Sequence, residues 1–382
     1  MRKSKSESDA EEALLFEDAT GVEPEEIGAD ESITEPFDPT LIRVANKPIT
    51  IDLLVSRLKE GEINLSPDFQ RKGGIWTEGA QSRLIESILI RIPLPAFYMD
   101  ATDDEEWVVV DGLQRLTTLK RFVIQNDLRL SNLEFLTTLN GKKYRELSRS
   151  FQRRIGETQV TVYLIEPGTP SEVKFNIFKR INTGGLPLSS QEIRHALNQG
   201  TVTTFLRELA SSNEFRTATS CSIRDDRMAD REFVLRFLAF ILVPYHHYKS
   251  KDFDSFLNDR MAEINRLQQP VLQNLRHQFL RAMRAAHRVF GNDAFRKRYS
   301  ADAPRSLINK ALFEAWAVNL SRLDDDDLKR VIERKQQVRE RFIEVMSKDR
   351  DFDSAISQGT GDIRKVRLRF QIIEGLLQET LQ

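Results

Sequence analysis

Apolar residues first take a helical period just after Thr50: Ile51, Leu54, Val55 and Leu58 fall at i, i+3, i+4 and i+7, with Thr50 placed to cap and Gly61 to stop the helix. "INLSPDFQRKGGIW" then reads as a strand running into a Pro/Gly-rich loop that carries Gln70 and Arg71. "TEGAQSRLIESILIRIPLP" predicts a second helix, with Leu84, Ile85, Ile88 and Leu89 inward and Pro93 as its end. "AFYMD" and "WVVVDG" are strands flanking the acidic hairpin "ATDDEE". A helix over "GLQRLTTLKRFV" and a short ribbon lead to "TQVTVYLIE", a strand by its β-branched content.

Beyond Pro170 the period becomes almost wholly helical. Helices are expected over Glu172–Ile181, Ser189–Asn198, Val202–Ala210, Arg231–Val243, a long stretch near Ile264–Phe290, Ser306–Leu320, Leu328–Met346 and Ile363–Leu377. Ser189 to Glu192, "SSQE", has the spacing of a capping box. The fold class is therefore α+β: a small α/β domain over 39–167, then a larger all-helical one over 168–382. Residues 1–38 lack a sustained period and read as a disordered acidic tail.

A chain of 382 residues, 40% hydrophobic and 30% charged, is long enough for two cores and has the balance of a soluble globular protein. No apolar run approaches the ~18 residues of a membrane span; the best, Phe233 to Val243, is interrupted by Arg236. "MRKSKSESDAEE" has no apolar core after its basic residues, so a cytoplasmic location is expected. The lone Cys221 excludes an internal disulfide and reads as a bystander thiol. Net charge is −1, but residues 1–38 hold 13 acids against 3 bases, leaving 54 bases against 45 acids in the remainder. A basic body suggests an anionic partner for which the tail competes; plain solvation by the tail is the simpler alternative.

The chemistry concentrates at Asp111-Gly112-Leu113-Gln114-Arg115. A buried strand, Val108 to Val110, ends there and an amphipathic helix begins, burying Leu116, Leu119 and Val123. Gly112 permits a sharp turn and close approach of a ligand. Arg115 in the first turn opposes the helix dipole, which favours anions at that end. Gln114, Arg115 and Thr118 on the other face, with free backbone N–H groups, form a plausible phosphate cradle, and Asp111 could hold Mg²⁺ or orient a water. The alternative is that Asp111 caps the helix and Arg115 pairs with it. Gln70-Arg71 offers a further anion donor, and Asn182-Thr183, before Gly184-Gly185, a polar pair just past an amphipathic helix. Ordinary solvation and an ordinary helix–turn–helix connection explain those two equally well.

Taken together, these pieces resemble the family named for the amino-terminal domain of GmrSD-type restriction endonucleases, and the chain is similar to the amino-terminal domain of SspE-type phage-defence proteins. The family's D-G-Q-Q-R motif is matched by Asp111, Gly112, Gln114 and Arg115, with Leu113 in place of the first Gln. Its P-x-[FY]-Q-R loop is matched by Pro67, Phe69, Gln70 and Arg71, and its R-I-N-T-G-G stretch by Arg180 to Gly185. The resemblance implies a ParB/sulfiredoxin-like fold and NTP hydrolysis that controls DNA cleavage. It carries these roles to Gln70, Arg71, Asp111, Gly112, Gln114 and Arg115, with Asn182 and Thr183 as further candidates. Joined to the reading of the residues, catalysis is expected of Asp111, Gln114 and Arg115, with Asp111 also the metal ligand, and nucleotide contacts of Gln70, Arg71, Gly112, Thr118, Asn182 and Thr183. The implied ligands are an NTP and Mg²⁺. A DNA-binding protein with a nucleotide switch but no turnover, and a metal-dependent nuclease using Asp111, are the alternatives.

Larger members append an HNH nuclease, but the five histidines here, His195, His246, His247, His277 and His287, lack that spacing. A separate nuclease partner, and a homo-oligomer, remain open. Arg364, Lys365, Arg367 and Arg369 after a Gly-Thr-Gly turn are candidate DNA-backbone contacts, as are Arg296, Lys297, Arg298 and Arg305 around Phe295 and Tyr299.

Overall fold

The computed structural model describes residues 21–25, 42–65, 76–103, 105–181, 188–225, 227–250 and 252–382. The chain divides into two compact units: Phe37–Leu197, and a helical unit made of Met1–Pro36 with Asn198–Gln382.

The first unit is built on a mixed five-stranded sheet of order β1-β5-β3-β4-β2, from β1 (Val44–Thr50), β2 (Ile63–Asn64), β3 (Phe97–Asp100), β4 (Trp107–Asp111) and β5 (Gln159–Ile165). β1 runs antiparallel to β5, β5 parallel to β3, β3 antiparallel to β4, and β4 parallel to β2. Helix α1 (Ile51–Glu60) buries the four residues its period singles out, starts at a Thr50 hydroxyl that accepts from Leu53 N at 3.3 Å, and stops at Gly61 with φ 78°. Helix α2 (Glu78–Leu89) buries Leu84, Ile85, Ile88 and Leu89 as expected. The next helix, α3 (Leu113–Leu119), passes directly into a π-helical turn over Lys120–Gln125. Where a short ribbon is expected before β5, the chain instead forms 3₁₀ turns and helix α4 (Arg149–Glu157), whose apolar contribution is little more than Phe151 and Ile155.

Two more helices, α5 (Ser171–Ile181) and α6 (Ser190–Leu197), complete this unit. The division thus falls at Leu197, whereas the change of period had placed it near residue 167. The physical reason is burial: Phe175, Phe178 and Ile193 pack on Val110 and Ile165, covering the sheet face opposite the main core. The expected capping box is present, with Glu192 N donating to Ser189 Oγ at 3.1 Å and Ser189 N to Glu192 Oε2 at 2.6 Å.

Glu86, on the buried side of α2, fixes the segment after the π turn. Its carboxylate accepts from the backbone N–H of Glu134, Phe135 and Leu136 at 3.0, 2.8 and 2.7 Å. Burial pushes its pKa up, but the three N–H donors outweigh burial and hold it below the ordinary 4.5. The stability that this ionised group contributes is therefore present above about pH 4.5 and is lost as pH falls through the lower, folded-state value. Glu86→Gln sets an amide N–H₂ against a backbone donor and should cost about 2 kcal/mol in urea unfolding at pH 7. The difference from wild type should narrow below pH 4.5.

In the helical unit the core gathers around Phe233, Phe237, Phe240, Phe279, Phe313, Trp316 and Phe370. Two expected helices are each divided. The long stretch near 264–290 breaks after Ile264, and a new helix, Gln269–Phe290, begins with Pro270 in its first turn, where the missing N–H is tolerated. Leu328–Met346 divides at Arg334 into Asp325–Glu333 and Lys335–Lys348.

Part of the acidic tail, expected to be disordered, is ordered. Gly21–Glu25 lies along Ile308, with Glu23 N donating to Ile308 O at 2.8 Å and Ile308 N to Gly21 O at 3.3 Å, and Val22 is buried. No helix among the described residues is long and apolar enough to cross a membrane.

Candidate functional site at the β4–α3 turn

The sheet delivers Asp111 to the turn through an irregularity. Met99 pairs with Val109 and Tyr98 with Asp111, so β4 carries one more residue than β3 over this step. Such a bulge bends the strand and re-aims the side chains beside it. By the ordinary alternation of the strand, Val110 faces α5 and α6, while Trp107 and Val109 belong to the main core.

Gly112 follows with φ 101° and opens α3 without any side-chain cap. A Cβ there would lie 2.4 Å from Phe97 Cδ1, so the position is restricted to glycine by both dihedral and space. Asp111 does not cap the helix. Its Oδ2 instead accepts from Arg115 Nη2 at 2.7 Å. The anion that balances the cation in the first turn is thus Asp111, four residues back.

Arg115 is 7% exposed. Beyond Asp111, its Nη1 donates to Pro95 O and its Nη2 to Ala96 O at 3.1 Å, and the guanidinium lies 4.5 Å over the Phe97 ring. Burial lowers its pKa from the usual value while Asp111 raises it, and an arginine stays charged throughout. Its fork ties the turn to the strand before it. Thr118, placed on the ligand face by spacing, is fully buried and donates to Gln114 O at 2.8 Å.

Gln114 has the longer reach. Its Oε1 accepts from Trp76 N at 3.2 Å. Trp76 O in turn accepts from Gln81 Nε2 at 3.1 Å, and Gln81 Oε1 from Arg121 Nη1 at 2.7 Å. This chain of amides fixes the first described residue after 66–75, the segment bearing Gln70 and Arg71. Those two residues, with Asn182 and Thr183, lie outside the described residues. The helices on either side of 182–187, α5 and α6, are the ones that pack on Val110, next to Asp111.

Spacing gave no sign of the other polar groups on β3. Lys174 Nζ, on α5, pairs with Asp100 Oδ2 at 2.9 Å and also meets the Thr102 hydroxyl. Tyr98, opposite Asp111 in the ladder, stacks on Tyr163 at 4.9 Å, and burial, Tyr163 and Asp111 all push its hydroxyl pKa upward. The pairs Lys174–Asp100 and Tyr98–Tyr163 are separated by 65 residues or more, beyond any local motif. Among the described residues no group of three or more His, Cys, Asp or Glu is placed to hold a metal ion.

Residues 52–198 match the family model described as GmrSD restriction endonuclease, N-terminal domain. This segment belongs to that domain family. The match spans all of the turn, its Trp76 anchor and α5–α6. No curated protein matches the chain.

Outside the GmrSD-type domain, the basic groups expected on a nucleic-acid face are mostly engaged. Arg369 is fully buried and paired with Glu314, because it sits between the core residues Val366 and Phe370 on one helix face. Lys365 Nζ donates to Gln358 O at 2.6 Å and Arg367 Nη2 to Tyr248 O at 3.3 Å, which leaves Arg364 exposed. Arg296 is buried against the Ser306 carbonyl and the Ser222 hydroxyl, Lys297 pairs with Glu23, and Arg298 bonds the carbonyls of Ala301 and Ala303. Arg305 is exposed, with its Nη2 3.5 Å from Ser222 Oγ. Cys221 is exposed.

Proposed function

We propose that the GmrSD-type domain binds a nucleoside triphosphate at the β4–α3 turn and hydrolyses it, as the regulatory module of a restriction or defence system acting on DNA with a separate nuclease. The observation that carries this reading is the hydrogen bond from Trp76 N to Gln114. It ties Trp76, the residue that follows 66–75 in the chain, to the Asp111–Arg115 turn. Arg71 precedes Trp76 by five positions, so its Cα lies no more than about 17 Å from that anchor. A guanidinium on so short a tether can reach a phosphate placed over Asp111 and Gln114.

The roles then divide. Arg71 and Gln70 bind phosphate oxygens, Gln114 orients the ligand, and Asn182-Thr183 supplies further nucleotide contacts. Asp111 keeps one carboxylate oxygen outside its pair with Arg115. It would hold Mg²⁺ together with the ligand's own phosphates, since this ion is commonly bound by one or two carboxylates plus phosphate oxygens. Bound there, the ion would neutralise charge developing on the transferred phosphoryl group. Arg115 is a positioning residue, acting through Asp111, and Thr118 serves the packing of α3.

Phosphate release from ATP, GTP, CTP and UTP with Mg²⁺, with and without DNA, tests this. At least one nucleotide should turn over, with a loss of about 100-fold or more in both Arg71→Ala and Asp111→Asn. Absence of turnover with all four removes the hydrolytic reading, and calorimetry then decides whether nucleotide binding stands. Metal-dependent DNA nicking lost in Asp111→Ala would replace it with a nuclease.

A further inference from the structure

The helical unit carries a set of cations that its own helices do not balance. Arg236, from the helix Ala229–Leu242, pairs with Glu232 at 2.9 Å and faces Glu314 at 3.5 Å. Lys310 meets Glu232 at 3.2 Å, and Arg369 pairs with Glu314. Lys297 bonds the Ser357 hydroxyl. Among the described residues these four cations face two carboxylates from the helices, Glu232 and Glu314.

The remaining two carboxylates come from the strap Gly21–Glu25. Glu25 accepts from Arg236 at 2.6 Å, Lys310 at 3.3 Å and the Thr360 hydroxyl at 2.6 Å. Glu23 accepts from Lys297 at 2.5 Å and from Asn309 Nδ2 at 3.1 Å. The strap is the outer layer: its carboxylates are 25% and 26% exposed, whereas Arg236, Lys297 and Lys310 beneath are 3%, 11% and 18% exposed. Its buried apolar hold among the described residues is Val22 alone.

Guanidinium, ammonium, hydroxyl and amide donors converging on two adjacent anions make the arrangement by which proteins bind phosphate. We propose that this groove is an anion-binding site of the helical unit, held in cis by Glu23 and Glu25, and that a phosphate-bearing ligand displaces them. Segments held by few apolar contacts open at low free-energy cost, which suits a displaceable occupant. The site is separate from the β4–α3 turn and does not depend on the function proposed for it.

The full chain with Glu23→Gln and Glu25→Gln together tests the proposal. Its melting temperature should lie below that of wild type, and inorganic tripolyphosphate should restore part of the loss where sodium chloride of equal ionic strength does not. Calorimetry should show tripolyphosphate, or a short oligodeoxynucleotide, binding the variant about tenfold or more tighter than wild type. The ligand that gains more tells a free polyphosphate from a nucleic-acid backbone. Lys310→Met added to the variant should remove the gain. Equal binding to variant and wild type, or a gain that survives Lys310→Met, overturns the site. If the double variant does not fold, Glu23→Gln alone opens the edge at Lys297. Failure of Glu23→Gln to gain tripolyphosphate affinity, or a gain that survives Lys297→Met, is equally decisive against the groove.

Discussion

Arg369→Met is expected to lower the unfolding free energy at pH 7 by about 3–5 kcal/mol, the range for removing one member of a buried ion pair. Arg369 and Glu314 are both fully buried, and Arg369 also donates to Thr360 O at 2.7 Å and Ala355 O at 3.3 Å. Methionine fills much of the volume but leaves the carboxylate and both carbonyls without their donor. Burial already pushes the Glu314 pKa above its usual value, against the pull of Arg369 and Arg236. With Arg369 gone it rises further, so the deficit should shrink as pH is lowered and the carboxyl takes up a proton. Arg369→Met combined with Glu314→Leu should recover most of the loss, because Arg236 keeps Glu25 and Glu232. Urea unfolding of the four members of this cycle at two pH values is the measurement. A single substitution within about 0.5 kcal/mol of wild type, as surface changes usually are, would instead return Arg369 to an exposed role such as DNA contact.

Gly112→Ala comes next in size, at about 2–5 kcal/mol. A left-handed backbone costs an L-residue about 1–2 kcal/mol. Crowding a well-packed site typically adds about 1–3 kcal/mol, and the new Cβ would meet the Phe97 ring at 2.4 Å and Arg115 Nη2 at 3.3 Å. Phe97 is fully buried on β3 and cannot move without shifting the strand beneath Arg115. Adding Phe97→Leu should relieve the collision but not the dihedral, so the pair should cost less than the two substitutions summed. A fully tolerated Gly112→Ala in urea unfolding would mean that the chain turns between β4 and α3 in another way.

The strand-to-helix turn was legible because three β-branched residues, a glycine and a 3.6-residue period meet within nine positions, and α1 because its cap, its apolar stripe and its stop glycine are all local. Arg369 was misleading for the same reason. "RKVRLRF" reads as a basic face until Glu314, 55 residues away, turns one of its arginines inward. β1 escaped notice because "VANKPIT" has no clean alternation, and only its pairing with β5 makes it a strand. Arg115 was recognised as anomalous, and its partner was among the alternatives weighed. Its bonds to Pro95 and Ala96, across the acidic hairpin, lay beyond any local pattern. The packing of α5 and α6 on Val110 was hidden in the same way, since helical period says nothing about which sheet a helix will cover.

The pairing of β1 with β5 also bears on synthesis. Thr50 pairs with Gln159 and Val44 with Ile165, so the first strand of the unit finds its neighbour only after more than a hundred residues have been made. Contacts of such sequence separation carry a large loop-closure entropy and slow folding. While the ribosome is still adding residues before β5, the edge that β1 will cover has not yet formed. The β4–α3 turn, with its i, i+4 ion pair and adjacent β3 hairpin, needs no such wait. The nascent chain can therefore form this turn before the sheet is closed.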